Sequence, residues 1–173
     1  LFIIPILLRR EHPLIQAADA SSRCASDEWS LSANTITWLQ ELFGKPEIDL
    51  FASIQQHCCP EFYNRIFHPS ALTVDAFSQK WGGKFAWICP PLHIIVPAVL
   101  KLQQDHGYGL LIVPTWPSQP YWVFLQRFFR QHSDALKRSV EFRAGVINPL
   151  QVMKPPMDPY SRISFVAFLL DFS

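Results

Sequence analysis

The sequence predicts an α/β fold built on a doubly wound, mainly parallel sheet. Short apolar runs of strand type alternate with segments of helical periodicity along the chain. Prolines punctuate the pattern, 15 of them against 6 glycines. Proline is excluded from helix interiors and central strands, so the ordered elements must be short and separated by loops. Hydrophobic residues make up 49% and charged residues 17% of the 173 positions. A chain of that composition has ample apolar surface to bury, which argues against disorder.

The elements follow in order. Leu1 to Leu8 reads as a strand in which the sequence begins partway, and Pro13 to Ser22 as a short helix with Ala17, Ala18 and Ala20 as helix formers. Cys24 to Ser32 is polar and linker-like. Ser32 is placed to cap a helix from Ala33 to Phe43, with Ile36, Leu39, Leu42 and Phe43 at helical spacing. Gly44 ends it and Pro46 prevents its continuation. The run Glu47-Ile48-Asp49-Leu50-Phe51 reads as a buried strand, and Ala52-Ser53 as a turn of small residues. Gln55 to Phe62 reads as irregular. Val74 lies in a second short strand before Asp75, and Phe85 to Ile88 forms a third, ended by Cys89-Pro90-Pro91. Ile94 to Gln104 is helical, with Pro97 in its first turn, where proline is tolerated. Gly109 to Val113 is the fourth strand. Tyr121 to Gln131 is an amphipathic helix, Val140 to Ala144 a candidate strand, and Ser164 to Leu170 the closing strand.

The formal net charge of +1 gives no global basic field of the kind that announces nucleic acid. The cysteines, Cys24, Cys58, Cys59 and Cys89, form no CxxC pair. Zinc held by cysteines together with His57 and His68 is one reading, and free or buried thiols the preferred one. Scattered thiols suggest a reducing compartment, hence an intracellular protein, cytoplasmic or nuclear. The apolar run at the start is too short to span a bilayer, which needs ~20 residues. Its charges, Arg9 and Arg10, follow it rather than precede it, unlike a signal peptide. No membrane partner is expected.

Arg10-Glu11, Ala18-Asp19 and Ser22-Arg23 stand in an order that resembles the closing segment of retroelement RNase H domains. The resemblance implies that residues 1–26 are the end of such a domain plus a linker. Asp19 would match the last acidic metal ligand. That chemistry needs several carboxylates around two Mg²⁺ ions, so Asp19 alone cleaves nothing.

A second series covers residues 27–173. It runs Glu28-Trp29-Ser30-Leu31, Phe43-Gly44, Ile48-Asp49-Leu50-Phe51-Ala52-Ser53, then Val74-Asp75-Ala76-Phe77 and Trp81. Trp87-Ile88-Cys89-Pro90-Pro91-Leu92 and Leu111-Ile112-Val113-Pro114-Thr115-Trp116-Pro117 complete it. The series resembles the domain that follows RNase H in DIRS-type, tyrosine-recombinase retrotransposons, itself similar to phage-type DNA adenine methyltransferases. The resemblance implies a Rossmann-like fold, S-adenosylmethionine as cofactor and DNA as partner, beside the reverse transcriptase and RNase H of the same polyprotein. A doubly wound sheet binds its cofactor at the carboxyl ends of the strands. Asp49, Phe51, Ala52 and Ser53 would then line the methionine moiety, and Asp75 would accept from the adenine amino group. A turn cap is the competing role for Asp75.

Cys89, Pro90, Pro91 and Leu92 take the place of the family's catalytic motif. There an Asn or Asp, two prolines and an aromatic orient a flipped adenine and stack on it. Cys89 is a weak acceptor and Leu92 has no π-face. Loss of one such acceptor costs ~10²–10³-fold in rate, and loss of the stacking ring ~1–3 kcal/mol. The expectation is weak or absent methyl transfer.

Trp116 opens a dense aromatic loop, read either as a surface for a base or as hydrophobic packing under the next helix, the second being preferred. Arg127, Arg130, Lys137, Arg138 and Arg143 form a candidate phosphate-contacting set, with a solvated helix face as the preferred competitor. No Ser-His-Asp arrangement is assignable. The alternative function is a non-catalytic nucleic-acid or protein-binding module of the same polyprotein, or a decayed copy of the element.

Overall fold

The computed structural model describes residues 31–53, 56–64, 67–143 and 164–173. The strand and helix expected in the first 22 residues, and the metal-ligand role of Asp19, lie outside them.

Helix α1 spans Ala33–Phe43. The Ser32 Oγ accepts from the Thr35 amide at 3.3 Å, satisfying one of the orphan N–H groups of the first turn. Gly44 ends the helix at φ 98°, a conformation disfavoured for residues with a Cβ, and its N–H reaches back to the Gln40 carbonyl. Strand β1 spans Ile48–Ala52, β2 Glu61–Asn64, β3 Thr73–Val74 and β4 Phe85–Ile88. Two short 3₁₀ turns, Ala76–Ser78 and Leu92–Ile94, follow β3 and β4. Helix α2 spans Ile95–Gln104, β5 Tyr108–Pro114, α3 Pro120–Gln131, β6 Leu136–Phe142 and β7 Phe165–Asp171.

The strands form one seven-stranded sheet in the order β3-β2-β1-β4-β5-β7-β6. The five strands from β3 to β5 are mutually parallel, and β7 alone runs against both its neighbours. Both faces are covered, as parallel sheets require. Along β5 the side chains alternate. Leu111 and Val113 face a core with Ile95, Val99 and Leu102 of α2 and Leu125 and Phe128 of α3. Leu110 and Ile112 face a second core with Leu39 and Phe43 of α1. The expected α/β fold with a mainly parallel sheet is therefore observed, compatible with a Rossmann-like arrangement. At Gly109 strands β4 and β5 pack closely: a Cβ there would meet the Ile88 side chain at 2.6 Å and the Ala86 carbonyl oxygen at 2.9 Å.

Two expectations are corrected. The stretch from Gln55 to Phe62 is not irregular to its end, because Glu61–Asn64 is a strand held between β1 and β3. The strand expected from Val140 to Ala144 begins earlier, at Leu136. It lies at the sheet edge, where exposed Lys137, Arg138 and Ser139 are compatible with pairing on one side only. Among the described residues no helix is long and apolar enough to cross a membrane.

Candidate functional site

The sheet order reverses between β1 and β4. From β1 the chain steps outward to β2 and β3, then returns across β1 to β4 and β5. Ligands of open α/β sheets bind outside the carboxyl ends of the strands at such a switch point. β1 and β4 are hydrogen-bonded neighbours, so their exits lie side by side. These exits carry Ala52-Ser53 and Cys89-Pro90-Pro91-Leu92, two of the segments singled out from sequence.

Asp49 is the buried acid beneath this edge, 5% exposed. Its Oδ1 accepts from the Phe51 amide at 3.3 Å. Its Oδ2 accepts from the Cys58 amide and the Cys58 thiol, each at 3.2 Å. Burial raises its pKa above the ordinary value, while the Cys58 and Phe51 hydrogen bonds and the His57 charge pull the other way. A carboxylate so tied shapes the β1 exit more than it reaches for a ligand. Just beyond, Ser53 closes a tight turn with Gln56, each amide bonded to the other's carbonyl.

The Phe51 ring, read from sequence as lining the cofactor, packs at 5.8 Å from Phe77 and 5.7 Å from Trp81. Its local role is to tie β1 to the segment after β3. Trp81 is 3% exposed, and its indole N–H donates to the Ala76 carbonyl at 2.7 Å. Asp75 is exposed, with φ 58°, and its Oδ1 accepts from the Phe77 amide at 3.1 Å. The turn-cap role is thus present in the structure, and contact with an adenine amino group would have to be made beside it.

At the β4 exit Pro90 is buried and Pro91 leads into the 3₁₀ turn. Burial, and then the Asp49 charge, hold the Cys89 thiol well above its ordinary pKa, so the sulfur is protonated at neutral pH. Cys89 packs toward the α1 side, whereas Leu92 packs toward the α2–α3 side. At the β5 exit the Thr115 amide donates to the Ser164 carbonyl at 2.7 Å, and the Tyr121 hydroxyl donates to the Pro114 carbonyl at 2.8 Å. The Thr115 hydroxyl is buried with no hydrogen-bond partner among the described residues. Trp116 and Trp122 pack on the core under α3, the arrangement preferred from sequence.

The basic residues do not converge. Arg127 and Arg130 are exposed on α3. Arg138 donates to the Leu42 carbonyl at 3.0 Å and lies over the Phe43 ring of α1, on the other side of the sheet. Lys137 borders a cleft of about 500 Å³ at the opposite edge, with Glu47, Lys84, Phe85, Tyr108 and Asp171. Three of that cleft's polar groups are engaged: Lys84 pairs with Glu61, Glu47 accepts from the Phe85 amide, and Asp171 accepts from Ser173. Among the described residues no cluster of three or more His, Cys, Asp or Glu side chains is arranged to hold a metal ion, so the zinc reading finds no support there.

The sequence reading did not single out Cys58 as a partner of Asp49. No spacing rule links them, since the contact depends on the path of the irregular connection after β1.

Asp49 sets a pH expectation. Its folded pKa lies above 3.8, the model-compound value. The stability it contributes is fully present below that value and is lost as pH rises through the folded pKa. Asp49→Asn is therefore expected to flatten the decline of stability above pH ~4, read as urea midpoints at successive pH values. An unchanged decline in the variant would show that another group causes it.

No protein-family model matches the chain, and no curated protein shows a significant match to it.

Proposed function

We propose that the chain is a fragment of a retroelement polyprotein whose main domain is a DNA adenine methyltransferase-like unit with an impaired catalytic motif. The observation that supports it most is the placement of two resembling segments. The β1 exit, at Ala52-Ser53 with Asp49 beneath it, and the β4 exit, from Cys89 to Leu92, adjoin at the switch point of a doubly wound sheet. The seven-stranded, mainly parallel sheet is compatible with the Rossmann-like fold that the resemblance implies. The retroelement context rests on the resemblance itself, including Asp19.

The cofactor side of the site fits S-adenosylmethionine in outline. A buried acid underlies the edge, Ala52 and Ser53 are half-buried at the β1 exit, and the buried Thr115 hydroxyl beyond β5 has no hydrogen-bond partner among the described residues. Ser53 and Asp75 would hold the cofactor, which supplies an activated methyl group when bound. The base side fits poorly. A protonated Cys89 thiol is a weak acceptor for an adenine amino group, and Leu92 cannot stack on a base. Pro90 and Pro91 keep the abrupt strand exit. The base-side misfit favours the second reading, a non-catalytic binding module in the same polyprotein with DNA or protein as partner. Exposed Arg127 and Arg130 would serve such a module as phosphate contacts.

Titration with S-adenosylmethionine separates the two. Saturable binding without efficient methylation of DNA is expected for the impaired enzyme. Absence of binding leaves the module.

A further inference from the structure

Residues 56–60, which lead into β2, belong to no helix or strand, yet they are pinned at several points. The Cys58 carbonyl accepts from the Gln40 side chain of α1 at 3.4 Å. The His57 ring stacks on Phe62 of β2 at 4.3 Å, and its Nδ1 lies 3.0 Å from the Cys59 carbonyl. Between these anchors Cys58 turns both its amide and its thiol onto one oxygen of the Asp49 carboxylate. Two of the three donors to a 5%-exposed acid thus come from one residue nine positions away.

We infer that Cys58 is the positioning residue for Asp49, and that its thiol is the side-chain donor orienting this carboxylate under the β1 exit. The inference rests on the proposed site for its functional meaning, but the contact itself does not. A buried carboxylate is costly unless hydrogen-bonded, and the thiol has no stronger acceptor beside it: the Cys59 sulfur is 3.8 Å away. The titratable groups facing Asp49 are His57 and Cys58, from the connection after β1, and Cys89, from the exit of β4. The same charge raises the Cys58 and Cys89 pKa values, after burial as the main cause. Both thiols therefore stay protonated, and Cys58 acts as a donor and not as a nucleophile.

The test is a ¹³C NMR titration of the Asp49 carboxyl in the 173-residue chain, with Cys58→Ala and Cys58→Ser. Removal of the thiol donor is expected to raise the Asp49 midpoint, and serine, which restores a donor, to bring it back toward the wild-type value. A midpoint unmoved by alanine, or serine behaving as alanine does, overturns the inference. Should the alanine variant not fold, the wild-type chain still decides through the Cys58 S–H infrared stretch, assigned by difference against Cys58→Ser. The band is expected to shift as Asp49 titrates, and a band indifferent to that titration overturns the inference. S-adenosylmethionine affinity measured in parallel should fall for alanine and recover for serine. If the wild-type chain binds no cofactor, the proposed function fails while the Asp49 midpoints still judge Cys58.

Discussion

Trp81→Ala is expected to lower the unfolding free energy by about 3–5 kcal/mol, the range for removing a buried aromatic side chain. The reasons are specific to its surroundings. The ring is 3% exposed and meets Phe51 edge-on at 5.7 Å and Phe77 at 5.5 Å. Its indole N–H satisfies the Ala76 carbonyl, and its backbone amide donates to Asp105 at 2.9 Å. Asp105 in turn pairs with Lys101 of α2. Trp81 therefore ties the segment after β3 to the β1 exit and, through its backbone, to α2. Trp81→Phe should keep much of the ring packing and lose the indole hydrogen bond, for a cost of about 1–3 kcal/mol. Urea unfolding at fixed pH measures both. A loss below about 1 kcal/mol for alanine, the scale of ordinary surface changes, would contradict the packing account.

Cys89→Asn with Leu92→Phe is expected to raise methyl transfer to adenine in DNA by ~10²–10³-fold, the scale of restoring one preorganised partner to a reacting group. The first change supplies an amide oxygen where a protonated thiol now stands. The second supplies a ring at the start of the 3₁₀ turn, where a flipped base would stack. In the motif that the resemblance implies both groups act on one base, so each single variant should recover less than the pair. Transfer of labelled methyl from S-adenosylmethionine to duplex DNA is the readout. A double variant that binds cofactor and stays inert would place the loss elsewhere in the site.

Much of the fold was legible because local signals agreed with the tertiary arrangement. Ser32 and Gly44 bracket α1 at the expected residues, since cap chemistry acts within one turn. Phe85 to Ile88 and Gly109 to Val113 are apolar runs buried on both faces, which leaves little choice but central strands. β2 was not legible. Its apolar pair Phe62-Tyr63 is flanked by Glu61 and Asn64, and pairing with β1 and β3 makes it a strand more than propensity does. The start of β6 was hidden for a related reason, because its charged residues face solvent at an edge.

The site divides in the same way. The positions of Asp49 within β1 and of Cys89 just past β4 follow from reading both segments as strands. The direction of the Phe51 ring does not, because β1 breaks register with β2 between Asp49 and Ala52, which upsets simple alternation. Nor does the bond from Cys58 to Asp49, which depends on a loop path that no periodicity encodes. Arg127 and Arg138 looked close along the chain, yet one lies on α3 and the other over α1, on opposite sides of the sheet.

The carboxyl edge of β1 and β4 is the proposed cofactor site. Following the S-adenosylmethionine titration by amide chemical shifts tests it most directly. Saturable shifts are expected at Phe51, Ala52 and Ser53, at Asp75, and at Cys89 and Leu92, with little change at Gly83, Tyr108 and Ser173 around the opposite cleft. No saturable shift at all, or shifts confined to that opposite cleft, would contradict it.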